Sequence, residues 1–239
     1  MKNLRTTSAS IFLCLCLAGC AGSSDKSAPP LTDTQNQAKT TLESQMKTAA
    51  KTAETYHAMD NPALLNKLVE QSAAQKEPFN SLAYRELKTR TNVDSNSLVA
   101  LVKQNTNATG LLPLLLLRKL DNKSYVALPV EVRAKILTDA LQNSKNFNTW
   151  GLPHLYLEDA SNAMIEAGRS TVPALTRMLS ETRPAPVFGS QEYMAYEQYK
   201  YRLCDYALFF LEKIQGNGDF RLPLSVEERD SLIKKMSAK

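Results

Sequence analysis

Side chains that could carry acid–base, nucleophilic or metal chemistry are few and scattered in this sequence. The two histidines are His57, with Asp60 close by, and His154, which lies near Trp150. Neither has a partner at a metal-ligand spacing such as His-Glu-x-x-His, and no Gly-x-Ser-x-Gly segment surrounds a serine. We therefore expect no metal, no cofactor and no enzymatic activity, and we expect both histidines to be surface or capping residues.

Cys20 is the cysteine whose surroundings point to a specific chemistry. Lys2 and Arg5 are the charged residues among the first 19, and a mostly apolar run from Ile11 to Ala18 precedes the cysteine. This run is far shorter than the roughly 20 residues that a membrane-spanning helix needs. A basic start, a short apolar middle and a small-residue end are typical of a secretory signal peptide, here residues 1–19.

The segment Leu17-Ala18-Gly19-Cys20 resembles the bacterial lipobox. The resemblance implies that the signal is removed before Cys20, that the Cys20 thiol receives diacylglycerol, and that the new amine is acylated. Three acyl chains exceed the two membrane signals that stable anchoring needs. Ala21 stands where the family's inner-membrane signal would be Asp, so the resemblance implies an outer-membrane lipoprotein. An ordinary signal peptide with a coincidental cysteine is the alternative.

Charge and cysteine content bear on nucleic-acid binding and on thiol chemistry. Removing Lys2 and Arg5 from the 29 basic residues leaves 27 against 24 acidic ones, which is too balanced to favour nucleic-acid binding. Cys14 and Cys16 leave with the signal and Cys20 carries lipid, so Cys204 is the remaining thiol. It lies among apolar residues, and we expect it to be buried and unreactive.

The rest of the chain reads as a tether followed by helices. Residues 20–37 are rich in Ser, Asp, Pro and Gln, so we interpret them as a lipidated flexible tether. Residues 38–239 are predicted to form an all-helical domain, with a first helix that ends near Asn61-Pro62. Residues 110–120 are apolar on all sides, which predicts a buried helix. Residues 191–214 are predicted to form the longest helix, Ser225 caps the last one, and no strand is expected.

Two stretches of the sequence follow the same order of residues. One runs from Gly110 through Leu112-Pro113-Leu114-Leu115 and Val132-Arg133 to Leu141; the other runs from Gly168 through Val172-Pro173-Ala174-Leu175 and Tyr201-Arg202 to Phe210. These stretches resemble the paired helices of HEAT repeats. The resemblance implies an α-solenoid with units near 110–141 and 168–214, and such arrays bind partners on a helical surface. An irregular helical bundle is the alternative.

Four residues are the candidates for partner binding. Val187 and Phe188 are apolar residues in the proline-containing loop between the helices of the second unit, and Tyr193 and Tyr201 lie off the main apolar face of the following helix. Exposed apolar and tyrosine side chains suit recognition of a protein. The alternatives are that Phe188 folds back onto its own loop and that the tyrosines pack between helices.

The sequence therefore predicts a lipid-anchored protein at the outer membrane, facing the periplasm, that acts as a scaffold for an envelope protein of unknown identity. An inhibitor that confers immunity against a periplasmic toxin fits the same features, because it also needs only a surface. An enzyme acting on peptidoglycan or lipid is a third class, and it would require His154 to meet acidic residues in a pocket.

Overall fold

The sequence is rich in helix formers, and the structure follows that preference. A computed structural model describes residues 33–238, with side chains described for 37–189 and 192–238. The described chain is mostly helical, which confirms the all-α class. The predicted signal peptide, the lipidation site Cys20 and most of the predicted tether lie outside the described residues.

Helices account for all but one short hairpin of the regular structure in residues 33–238. The α-helices are α1 (Asp33–Ala58), α2 (Asn61–Ala73), α3 (Leu82–Thr89), α4 (Ser95–Gln104), α5 (Leu111–Leu120), α6 (Asn122–Ala127), α7 (Val130–Asn143), α8 (Asp159–Ala167), α9 (Val172–Met178), α10 (Ser190–Tyr199), α11 (Leu203–Ile214) and α12 (Val226–Ser237). Single 3₁₀ turns occupy Ala108–Gly110, Asn148–Trp150 and Gly168–Thr171. Strands β1 (Gly151–Leu152) and β2 (Tyr156–Leu157) form the hairpin.

The chain divides into two units, Met1–Lys47 and Thr48–Lys239. The described part of the first unit belongs to α1, which begins at Asp33 and therefore inside the predicted tether. Leu42 and Met46 of this helix are exposed. The second unit contains the hydrophobic core.

Helix α5 lies at the centre of the N-terminal half of the second unit. Its residues 112–117 are buried, and it contacts α2, α3, α4, α7 and α8. The predicted buried helix is therefore confirmed. The boundary before α2 also matches the sequence, because the Asp60 side chain accepts a hydrogen bond from the Ala63 N–H and Pro62 occupies the first turn.

The predicted single helix over 191–214 is wrong, because the chain breaks between α10 and α11. Lys200 adopts a left-handed conformation with φ 51°, and residues 201–202 are not helical. The preceding loop pairs with this break: Ala185 N–H donates to Tyr201 O at 2.8 Å and Leu203 N–H donates to Arg183 O at 3.0 Å. The Asp205 carboxylate accepts a hydrogen bond from the Arg202 N–H at 2.9 Å, and this bond caps the N-terminus of α11 as a new helix.

The expectation of no strand is also wrong at one place. The antiparallel hairpin pairs Gly151 with Leu157 and Leu152 with Tyr156. Gly151 has φ +76°, and a Cβ atom there would lie 2.6 Å from Tyr156 O, so the hairpin needs glycine at this position. Strands of two residues are too short to produce a visible alternation in the sequence.

A buried ion-pair network joins the last three helices. The Arg229 side chain of α12 is fully buried, and its Nε lies 3.1 Å from Asp205 Oδ1 without hydrogen-bond geometry. Its other nitrogens donate to the carbonyls of Tyr199, Pro223 and Leu224. Asp205 is also fully buried and binds Arg202 at 2.9 Å, as predicted for this pair. One guanidinium thus ties α12 to the end of α10 and the start of α11.

Replacing Arg229 with methionine should destabilise the protein strongly, because three backbone carbonyls would lose their donor in a buried site. We expect a loss of about 3–5 kcal/mol in the free energy of unfolding. Urea denaturation followed by circular dichroism at the helical signal measures it. Asp230→Ala is the matched control, because Asp230 binds Arg202 at the surface, where an ion pair contributes about 1 kcal/mol or less. Equal effects of the two variants would contradict the network's role.

Candidate partner-binding site

The loop between α9 and α10 is held at both ends by hydrogen bonds to the segment that follows α7. Arg183 donates to the carbonyls of Ser144 and Gln142, and Phe147 N–H donates to Pro186 O at 2.9 Å. At the far end, Phe188 N–H donates to Asn148 Oδ1 at 2.7 Å. Asn148 Nδ2 in turn donates to Phe188 O at 2.6 Å. The asparagine side chain therefore pairs with the Phe188 backbone on both sides.

This anchoring separates the two apolar residues of the loop. Val187, predicted at an accessible surface, is only 1% exposed, because the anchored loop turns its side chain into the core. Phe188 is 56% exposed even though its backbone is fixed. The alternative in which Phe188 folds back under its own loop is thus not what the structure has.

The two tyrosine candidates also differ in solvent exposure. Tyr193 is 51% exposed on α10, and the next residue, Met194, is 73% exposed. Tyr201, expected at an accessible surface, is fully buried: its ring stacks on Tyr199 at 5.1 Å and meets the edge of Tyr206 at 5.9 Å. The helix break at residues 200–202 is the physical reason, since it turns Tyr201 away from the α10 surface.

The two histidines lie in different surroundings. His154 stacks on Tyr199 at 3.9 Å, and its Nδ1 forms a hydrogen bond with the Tyr201 hydroxyl. Burial lowers the pKa of His154, and its ring belongs to the packing between the hairpin and α10. His57 Nδ1 lies 3.1 Å from Glu86 Oε1 near the end of α1. Burial raises the pKa of the Cys204 thiol to about 11, in keeping with the unreactive thiol expected there.

A groove of about 620 Å³ opens beside the loop. Its residues come from the segment before α3, from α3 itself, from the 148–150 turn, from β2 and the start of α8, and from α10. We call it the glutamate groove, because Glu77, Glu158 and Glu192 all line it. Asn148, which holds Phe188, is also part of its lining.

The three glutamates line the groove together with Tyr156. Burial raises the pKa of Tyr156, and the charges of Glu192, Glu158 and Glu77 raise it further. Desolvation is the largest cause that raises the pKa of Glu77 and of Glu158, and the charge of Glu158 raises the pKa of Glu77 further. Asn80 and Asn146 lower the pKa of Glu77 but do not outweigh its burial. Glu77 Oε1 is shielded from solvent and has no hydrogen-bond partner among the described residues.

Aromatic and basic side chains complete the groove. Phe79 is 78% exposed, and the Arg85 guanidinium lies 5.8 Å from the centre of its ring. Lys88, one turn along α3 from Arg85, also lines the groove. Sequence reasoning missed this site because its residues lie in five separated segments, and no local spacing connects them.

Within residues 33–238, no His, Cys, Asp and Glu side chains are grouped in a way that could hold a metal ion. Over the same range, every helix is too short or too polar to cross a bilayer.

Replacing Glu77 with glutamine should stabilise the protein near neutral pH. The pKa of Glu77 is higher in the folded protein than in the unfolded chain. At pH values between the two pKa values, the folded protein therefore binds more protons than the unfolded chain. Stability is therefore lost as pH rises through the two pKa values. Glutamine does not ionise and avoids this loss. We expect a higher midpoint of thermal unfolding at pH 7, and a smaller difference from the unmodified chain at pH 4.

Glu54→Gln is the control for that experiment, because Glu54 is exposed on α1 and does not line the groove. A Glu77→Gln variant that is less stable at pH 7, or equally shifted at both pH values, would contradict the desolvation of Glu77.

Phe188 and Tyr193 are thus exposed close to the glutamate groove, whose lining includes Asn148 and Glu192. In comparisons with protein-family models, with curated proteins and with solved structures, nothing matches this chain.

Proposed function

We propose that this protein is a lipid-anchored scaffold at the outer membrane, facing the periplasm, that binds an envelope protein. Its contact face consists of Leu155, Tyr156, Phe188, Tyr193 and Met194. All five side chains are exposed, and all belong to elements that adjoin the glutamate groove or pack against one another.

The observation that carries this proposal is the exposure of Phe188 on a backbone that hydrogen bonds fix. Burying a phenylalanine side chain contributes about 1.5–3 kcal/mol, so an exposed one represents unused binding energy. Because the backbone of Phe188 is already fixed, little further backbone entropy is lost there when a partner binds. The Asn148 pairing provides that fixed backbone on both sides of the residue.

Continuity between the hairpin and α10 supports a single face rather than separate residues. His154, between β1 and β2, stacks on Tyr199 of α10, and Tyr156 of β2 lines the glutamate groove together with Glu192 of α10. Leu155 lies between His154 and Tyr156 in the chain, while Tyr193 and Met194 follow Glu192 directly. Exposed apolar residues that gather in this way mark protein-interaction sites more often than isolated ones do.

A HEAT-like arrangement is the architecture that we propose for the scaffold. In both predicted units a 3₁₀ turn leads directly into a helix with proline in its first turns, Pro113 in α5 and Pro173 in α9. Helix α5 contacts α7, and α9 packs along α11. The second unit departs from a simple pair because α10 and the anchored loop are inserted between its helices. The contact face is built on that insertion.

Photo-crosslinking in the producing cells tests the function. A benzoylphenylalanine placed at Phe188 or Tyr193 should give a discrete crosslinked species of higher mass, because both side chains would touch the partner. The same probe at Val126 is the control, since Val126 is exposed on α6 and outside the contact face. Crosslinks of equal yield from all three positions, or none from Phe188 and Tyr193, would contradict the proposal.

The same cells can be used to test lipidation at Cys20. The unmodified chain should incorporate labelled palmitate and fractionate with the outer membrane, whereas Cys20→Ser should lose both properties. Incorporation that survives this substitution would contradict lipidation at Cys20.

A further inference from the structure

The carboxylates of the glutamate groove differ from other partly buried carboxylates of this protein. Glu86 binds Arg90 at 3.0 Å, and the more deeply buried Asp205 binds Arg202 at 2.9 Å. Glu77, Glu158 and Glu192 form no ion pair with any described residue. The charges of Glu77 and Glu158 repel each other, and a cation placed among the three carboxylates of the groove would relieve that repulsion.

We infer that the glutamate groove binds a short segment of the protein partner in which a lysine or arginine stands beside an aromatic or aliphatic residue. This inference rests on the proposed scaffold function and names the chemistry that the scaffold would recognise. Charge complementarity assigns the basic side chain to the three glutamates.

The aromatic residues of the groove suit the rest of such a segment. The carbon chain of lysine or arginine can lie along an aromatic ring while its charged end reaches a carboxylate. Tyr156 lines the groove with the three glutamates and offers such a ring. Phe79 is 78% exposed, so it offers apolar area to the neighbouring residue of the partner.

The basic residues of α3 favour one orientation of a charged peptide in the groove. Arg85 and Lys88 line it together with the glutamates, which come from other elements. A bound segment would keep its own cation away from α3 and could place a carboxylate or backbone carbonyl there. The groove thus discriminates between the two orientations of a charged peptide.

A protein segment suits this groove better than a free ion. A single inorganic cation would fill a small part of about 620 Å³ and would leave Phe79 uncovered.

Selection from a randomised peptide library displayed on phage tests the inference on the full chain. The selected peptides should be enriched in lysine or arginine next to an aromatic or aliphatic residue. For the strongest selected peptide, we expect Kd to rise about tenfold or more in the double variant Glu77→Gln/Glu158→Gln, because the basic side chain of the peptide loses two of its charged partners. Circular dichroism checks that the variant remains folded.

Glu54→Gln is the matched control, and it should leave the selected peptide's Kd unchanged. Selection of acidic or uncharged peptides, no selection at all, or equal binding to the double variant would overturn the inference. If Phe188 and Tyr193 still crosslink a partner in that case, the scaffold function stands and only the groove's ligand is wrong. Basic peptides selected without any cellular crosslink would instead contradict the scaffold function alone.

Discussion

The C-terminal half of this protein depends on the hydrogen bonds and the ion pair of the buried Arg229 guanidinium. It donates hydrogen bonds to the carbonyl of Tyr199, the last residue of α10, and to two backbone carbonyls just before α12. Its Nε lies next to the carboxylate of Asp205, in the first turn of α11. Burial of two ions is unfavourable unless nearly all of their polar atoms are satisfied. Here Asp205 also receives Arg202, so the geometry of three helices is determined together.

That geometry explains why the chain breaks between α10 and α11. Continuous helix through Tyr201 would place the Arg202 N–H in a helical bond instead of on Asp205, and it would remove the partners of Ala185 and Leu203. The break therefore supports the loop of residues 180–189 from one side. Asn148 supports it from the other, and Phe188 is left exposed at a fixed position next to the groove.

Local signals were sufficient to predict the all-α class and several helix boundaries, but not the break between α10 and α11. The cap at Asp60, Pro62 and the all-apolar run 111–117 act within a few residues, so they are visible in the sequence. The Arg202–Asp205 pair was also visible from its spacing. Its role in ending one helix and starting the next depends on Arg229, which lies more than 20 residues away in sequence. Val187 and Tyr201 were misplaced for that reason, since both are turned inward by contacts that form only in the folded chain.

The hydrogen bonds at both ends of the loop imply that it is already rigid in the free protein, with Phe188 exposed before any partner binds. Amide hydrogen exchange of the free protein, resolved over residues 183–189, measures this rigidity. We expect slow exchange at Ala185 and Phe188, and faster exchange there in Arg229→Met while α5 stays protected. Exchange of the loop amides at the rate of an unstructured peptide in the unmodified chain would contradict it.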